Sequence, residues 1–157
     1  MLVVADSSAL VALATCGALN ILAKLYDEIR APQAVYDEVV VPAKPYSVVL
    51  SSFLTGRIVK VDMTRWIVAS GGLGQGELEA MALYKQLSAG ALLIDDRRAR
   101  TVAVYNQIVC IGTLGVLLLA KHQGVIQQVT PYVEQLRSSP LYYGEALLAR
   151  VLSIAGE

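Results

Sequence analysis

Two apolar stretches far apart in the chain each run into carboxylates. Leu2-Val3-Val4-Ala5 leads to Asp6, followed by Ser7 and Ser8. Ala91-Leu92-Leu93-Ile94 leads to Asp95 and Asp96. Both stretches read as buried strands, and open α/β sheets bind ligands at the carboxyl ends of their parallel strands. Acids gathered there without cationic partners repel one another. A hard divalent cation such as Mg²⁺ or Mn²⁺, which takes oxygen donors, relieves that repulsion. The chemistry such a set would support is metal-assisted phosphoryl transfer.

Each acid also has a plainer reading. Asp6 ahead of a helix is an ordinary N-cap, and so is either acid of the Asp95-Asp96 pair. Ser7 and Ser8 either cap the same helix or hold a water beside a bound ion. Glu38, within Val35-Tyr36-Asp37-Glu38-Val39, reads on local pattern as an exposed helix charge, as does Asp37. Glu77 and Glu79 open a helix, where acids are favoured by the helix dipole. Residues two apart project about 200° apart on a helix, so the two cannot both reach one ion, and helical phase does not choose between them. Asp95 and Asp96 are the hardest to assign to capping alone, because Asp6 ends the one comparable strand. Arg97, Arg98 and Arg100 follow that pair, and Lys121 lies beside His122 near a helix end. These cations read either as phosphate contacts or as solvated helix charges.

The elements that must position these residues alternate. Leu2–Ala5, Glu28–Ala31, Ile58–Val61, Ala91–Ile94 and Ile108–Ile111 read as strands. Ser8–Cys16, Ala18–Tyr26, Gln33–Val39, Ser47–Leu54, Glu77–Leu87, Arg97–Tyr105, Thr113–Gln123, Thr130–Leu136 and Gly144–Ala155 read as helices. Ser7 or Ser8 caps the first helix, and Thr130-Pro131 supplies an N-cap and first-turn proline. The glycine-rich segment 71–76 reads as a flexible loop, and 63–69 suits either element. Strands alternating with helices imply an α/β fold with a mostly parallel sheet covered on both faces. At 157 residues the chain suits one domain, 1–157.

Composition narrows the classes. The chain is 55% hydrophobic and only 17% charged, against about 25% in typical soluble domains. That surplus of apolar surface suggests a homo-oligomer or a partner interface. Thirteen basic and thirteen acidic residues balance, which excludes a strongly basic nucleic-acid binder but leaves room for a local basic rim. Cys16 and Cys110 stand in apolar surroundings outside any metal or redox motif, as expected of buried thiols in a reducing cytosol. His122, the single histidine, cannot support a multi-histidine metal site. Asp6 interrupts the apolar start, so no signal peptide is expected. The uncharged run 101–120 is long enough to raise a membrane span, but Asn106, Gln107, Gly112 and Gly115 divide it into helix, strand and helix. A cytoplasmic protein without a membrane segment is expected. Gly72-x-Gly74 lacks the last glycine of a dinucleotide fingerprint, and neither a phosphate-binding P-loop nor a GxSxG elbow is present. A receiver-like protein would carry its paired acids after the first strand. A dehalogenase-type phosphatase would carry an acid where Ser8 stands.

The acids occur in a telling order: Asp-Ser-Ser-Ala-Leu after the first strand, Val-Tyr-Asp-Glu-Val, Gly-Glu-Leu-Glu-Ala, and Leu-Ile-Asp-Asp-Arg-Arg-Ala-Arg. This order resembles the PIN domain, the nuclease fold of VapC-type toxins. More narrowly it resembles a prokaryotic PIN-like branch with GE-x-EA and DDR-x-x-R signatures and a downstream stretch like Ile111-Gly112-Thr113-Leu114-Gly115. The resemblance implies a three-layer α/β/α fold around a mostly parallel sheet. It implies Mg²⁺- or Mn²⁺-dependent hydrolysis of RNA phosphodiesters, with Asp6, Glu38, Glu77 and Asp95 as the catalytic acids. Asp6, Glu77 and Asp95 would hold metal, with Asp96 as an extra acid and Glu79 as the alternative third. Ser8 would bind a water at the ion, and Arg97, Arg98, Arg100 and Lys121 would contact RNA phosphates. A small antitoxin protein is the implied partner. The alternative is a PIN-like protein that has lost catalysis and serves as a binding or regulatory subunit.

Overall fold

The computed structural model describes residues 1–66 and 72–157. Part of segment 63–69 and the first glycine of the glycine-rich loop lie outside them. The strands are β1 (Leu2–Ala5), β2 (Glu28–Pro32), β3 (Ile58–Val59), β4 (Ala91–Leu93) and β5 (Cys110–Ile111). Helices α1 (Ser7–Thr15) and α2 (Leu19–Leu25) follow β1, and α3 (Gln33–Val39) and α4 (Ser47–Leu54) follow β2. Helix α5 (Gln75–Gln86) leads into β4, and α6 (Arg97–Tyr105) leads out of it. Helices α7 (Thr113–His122), α8 (Thr130–Arg137) and α9 (Glu145–Ala155) complete the chain.

All strand pairs are parallel, and their order is β3-β2-β1-β4-β5. Helices cover both faces, giving three α/β/α layers. The central strand β1 pairs Val3 with Ile29 on one side and Val4 with Leu92 on the other. A strand covered on both faces can be apolar throughout, and Val3, Val4, Ala5, Leu92 and Leu93 are all fully buried. Leu10 and Leu13 from α1, Leu50 from α4, Met81 and Leu83 from α5 and Leu117 from α7 fill the core around them.

The differences from the sequence reading have local causes. Strand β3 stops at Val59, opposite Pro32, which has no N–H to extend a ladder. Strand β5 is also an edge and is held only by β4. Helix α5 starts at Gln75, two residues early, because the Glu77 carboxylate accepts the N–H of Gly74 at 2.9 Å and draws Gly76 into the first turn. Asp6, rather than Ser7 or Ser8, caps α1. Thr130 is the first residue of α8 and not its cap. The uncharged run 101–120 is helix, strand and helix, and no single helix among the described residues is long and apolar enough to cross a membrane. Cys16 is buried, Cys110 is half-buried, and both are free thiols.

Candidate acidic active site

The strand order reverses between β1 and β4. The chain travels outward from β1 to β2 and β3, then returns to build β4 and β5 on the other side. That reversal opens a crevice at the carboxyl ends of the two central strands. The ladder runs up to the first acid, whose N–H donates to the Leu93 carbonyl at 2.9 Å. Asp6 is only 2% exposed. Its Oδ2 accepts the Ser8 N–H at 3.2 Å and the Ser8 hydroxyl at 2.7 Å, while Oδ1 is buried with no hydrogen-bond partner among the described residues. Burial pushes the Asp6 carboxyl up to about 6. The hydrogen bonds from Ser8 and Ser7 oppose that rise, and the charge of Glu77 adds to it.

Ser8 ties the two strand ends together. Its hydroxyl oxygen also accepts the N–H of Asp95 at 3.0 Å and of Asp96 at 3.3 Å. From there the paired acids part. Asp96 is exposed and caps α6, accepting the Ala99 N–H at 2.8 Å. Asp95 is half-buried. Its Oδ1 accepts the N–H of Thr113, the first residue of α7, and its Oδ2 accepts the Tyr143 hydroxyl, each at 2.6 Å. Burial and the adjacent Asp95 charge raise the Tyr143 phenol, so it stays protonated and donates.

Two further acids approach from the other side. The Ser7 hydroxyl donates to Glu38 Oε2. Glu38 itself lies against Gly76, where a Cβ would run into its carboxylate. The glycine of Gly-Glu-Leu-Glu-Ala is thus the space Glu38 occupies between α3 and α5. Glu77 lies close enough for its charge to act on Asp6, whereas Glu79 is half-buried without a hydrogen bond or ion pair among the described residues. The structure therefore brings Asp6, Glu38, Glu77 and Asp95 to one edge of the sheet, with Asp96 beside them as the cap of α6 and on the wall of the same cleft.

The cations divide too. Arg97 and Arg100 line a cleft of about 1040 Å³ that runs from Ser7, Ser8 and Asp95 between α1, α7 and α9. A Cβ on Gly112 would stand 2.7 Å from Arg100 Nη1 and 2.9 Å from Asp95 Oδ1. Arg98 lies over Gly72. Lys121 is not brought to the acids. It sits at the far end of α7 from Thr113, bonded to the Ala155 carbonyl and to Glu157.

These donors fit a hard divalent ion in kind. All are carboxylate oxygens, and the partnerless buried Oδ1 of Asp6 is an acceptor that a cation would satisfy. Among the described residues, no three acids, histidines or cysteines close into a ready-made cage.

A doubly wound parallel sheet with acids at its point of reversal defines the class: an α/β/α domain whose site is assembled by topology. Within that class the assignment is specific. The PIN domain family model matches residues 2–157, and the chain belongs to the PIN domain family. PIN domains have nuclease-type functions, generally bind RNA and are generally divalent-metal dependent. No curated protein matches the chain. The sequence marks Gly76, Gly112 and Thr113 only as members of family-like stretches, without contacts to the acids, and it gives no signal for Tyr143.

Proposed function

We propose that this protein is a divalent-metal-dependent ribonuclease hydrolysing RNA phosphodiester bonds, and that it acts as the toxin of a toxin–antitoxin pair. One observation carries the proposal: among the described residues, Asp6 keeps a buried carboxylate oxygen without a partner at the sheet reversal, and its other oxygen is tied through one hydroxyl to Asp95. Nothing in the packing of a core calls for such an oxygen, since an unsatisfied buried acceptor is destabilising.

In this reading Asp6, Glu77 and Asp95 hold the ion, and Glu38 orients the attacking water or holds a second ion. The ion supplies positive charge that lets the acids converge and stabilises charge developing on the phosphate. Ser8 keeps Asp6 and Asp95 in register. Arg97 and Arg100, at the cleft beside Asp95, bind the RNA backbone.

The test is cleavage of single-stranded RNA by the purified protein with Mg²⁺ or Mn²⁺. Asp6→Asn and EDTA are each expected to abolish it, and cleavage that survives both removes the metal mechanism. The toxin role predicts growth arrest on expression, relieved by a small protein encoded beside it. A second reading, a binding subunit without catalysis, is favoured by the open arrangement of the acids. It predicts RNA binding without cleavage at any Mn²⁺ concentration. Exposed Val48, Val104 and Tyr105 support a homo-oligomer in either case.

A further inference from the structure

We propose that Tyr143 is a positioning residue that holds the Asp95 carboxylate in its ion-binding orientation. The proposal rests on the reading above, in which Asp95 is a metal ligand. Tyr143 lies in the connection from α8 to α9, 48 residues beyond Asp95. None of the acidic motifs contains it.

The two donors on Asp95 reach different oxygens. Thr113 N–H meets Oδ1 and the Tyr143 hydroxyl meets Oδ2, both at 2.6 Å. One hydrogen bond leaves a carboxylate free to swing about its last torsion, whereas one on each oxygen fixes the plane. An ionised carboxylate offers about four acceptor positions, so each Asp95 oxygen keeps capacity for an ion. Gly112 admits this geometry, since a Cβ there would stand 2.9 Å from Oδ1.

The neighbouring tyrosine provides the contrast. Tyr142 is 93% exposed and makes no such bond, so the chain turns one of two adjacent phenols inward and onto the acid. A purely structural role would fasten α9 to the sheet edge. A positioning role requires the bond to matter to the ion. Partners that orient ligating carboxylates typically change metal affinity by about 10–100-fold when removed.

The experiment is a calorimetric titration of Mn²⁺ into the full chain and its variants. Tyr143→Phe, which keeps the ring and deletes the hydroxyl, is expected to weaken Mn²⁺ binding at least about 10-fold and to raise the Mn²⁺ concentration for half-maximal cleavage. Tyr142→Phe is expected to bind as the wild type does. In an Asp95→Asn background, Tyr143→Phe should weaken binding no further. If Tyr143→Phe does not fold, Gly112→Ala disturbs the same carboxylate from its other oxygen and is expected to weaken binding similarly. Wild-type affinity in Tyr143→Phe overturns the proposal, as does an equal loss when Asp95→Asn is already present. A wild-type chain that binds no Mn²⁺ overturns the metal reading and this proposal together.

Discussion

Asp6 carries its history in its ionisation. The same burial that leaves Oδ1 unpartnered holds its carboxyl at about 6, above an ordinary value of 3.8. The folded state therefore binds a proton more tightly than the unfolded chain does. Stability is greatest below the ordinary value and is lost as pH rises toward 6. That loss is about 3 kcal/mol for a shift of this size. Metal-free protein is expected to melt at a lower temperature at pH 7 than at pH 4.5 on this account. Asp6→Asn should flatten that difference and raise the melting temperature at pH 7. A Tm–pH curve unchanged by Asp6→Asn would contradict the origin assigned to it. RNA cleavage at limiting Mn²⁺ is expected to fall as pH drops and to be restored by added Mn²⁺, because protons compete with the ion for the same carboxylate.

Helix starts explain why the acids were hard to sort by sequence. A helix cap and an ion-binding carboxylate are compatible readings for three of them. Asp6 caps α1, Glu77 closes the first turn of α5, and Asp95 receives the first N–H of α7. A carboxylate bound to a helix N-terminus is fixed in place, and it is fixed where strands end. Asp96 caps α6 and also lines the cleft beside Asp95. Glu77 lies in the first turn of α5, a start that Gly76 hides because glycine reads as loop by propensity. The strands ending in acids were legible because an apolar run bounded by a charge is a local signal. Tyr143 was not, because its partner lies 48 residues away and a lone tyrosine carries no record of it. The pairing of Lys121 with Glu157 is illegible for the same reason, since the two are distant in sequence.

Glu157 supplies the element-scale prediction. Its carboxylate accepts the N–H groups of Val129 and Thr130, the Thr130 hydroxyl and Lys121 Nζ, and so caps α8 from the end of α9. The bonds from Lys121 and Thr130 pull its carboxyl down to about 2 from 4.5. That contribution is present above 4.5 and lost as pH falls toward 2. Glu157→Gln is expected to melt below the wild type at pH 7, with the gap closing over that window. A gap independent of pH would assign the effect to packing instead.

At the scale of the molecule, neutrality and RNA binding are compatible only if charge is segregated. Thirteen cations and thirteen acids cancel overall, yet Arg97 and Arg100 stand together at the cleft while Lys121 and Arg137 are consumed in ion pairs elsewhere. Replacing both cleft arginines with alanine is expected to weaken binding of single-stranded RNA at low salt. It should also flatten the dependence of log affinity on log salt by about 1.4, at roughly 0.7 per phosphate contact. An unchanged slope would place the RNA elsewhere.

The central seam joins residues 3–5 to residues 91–93, and Tyr143 arrives later still. Chain growth during synthesis therefore meets the parts of the site in a fixed order. A nascent chain that has reached residue 90 already holds Asp6, Glu38 and Glu77, but it has neither β4 beside β1 nor Asp95 itself. The long closure between those strands also raises the contact order, which slows folding. In a nuclease, that order would keep the emerging chain from acting on nearby RNA while it is still being translated.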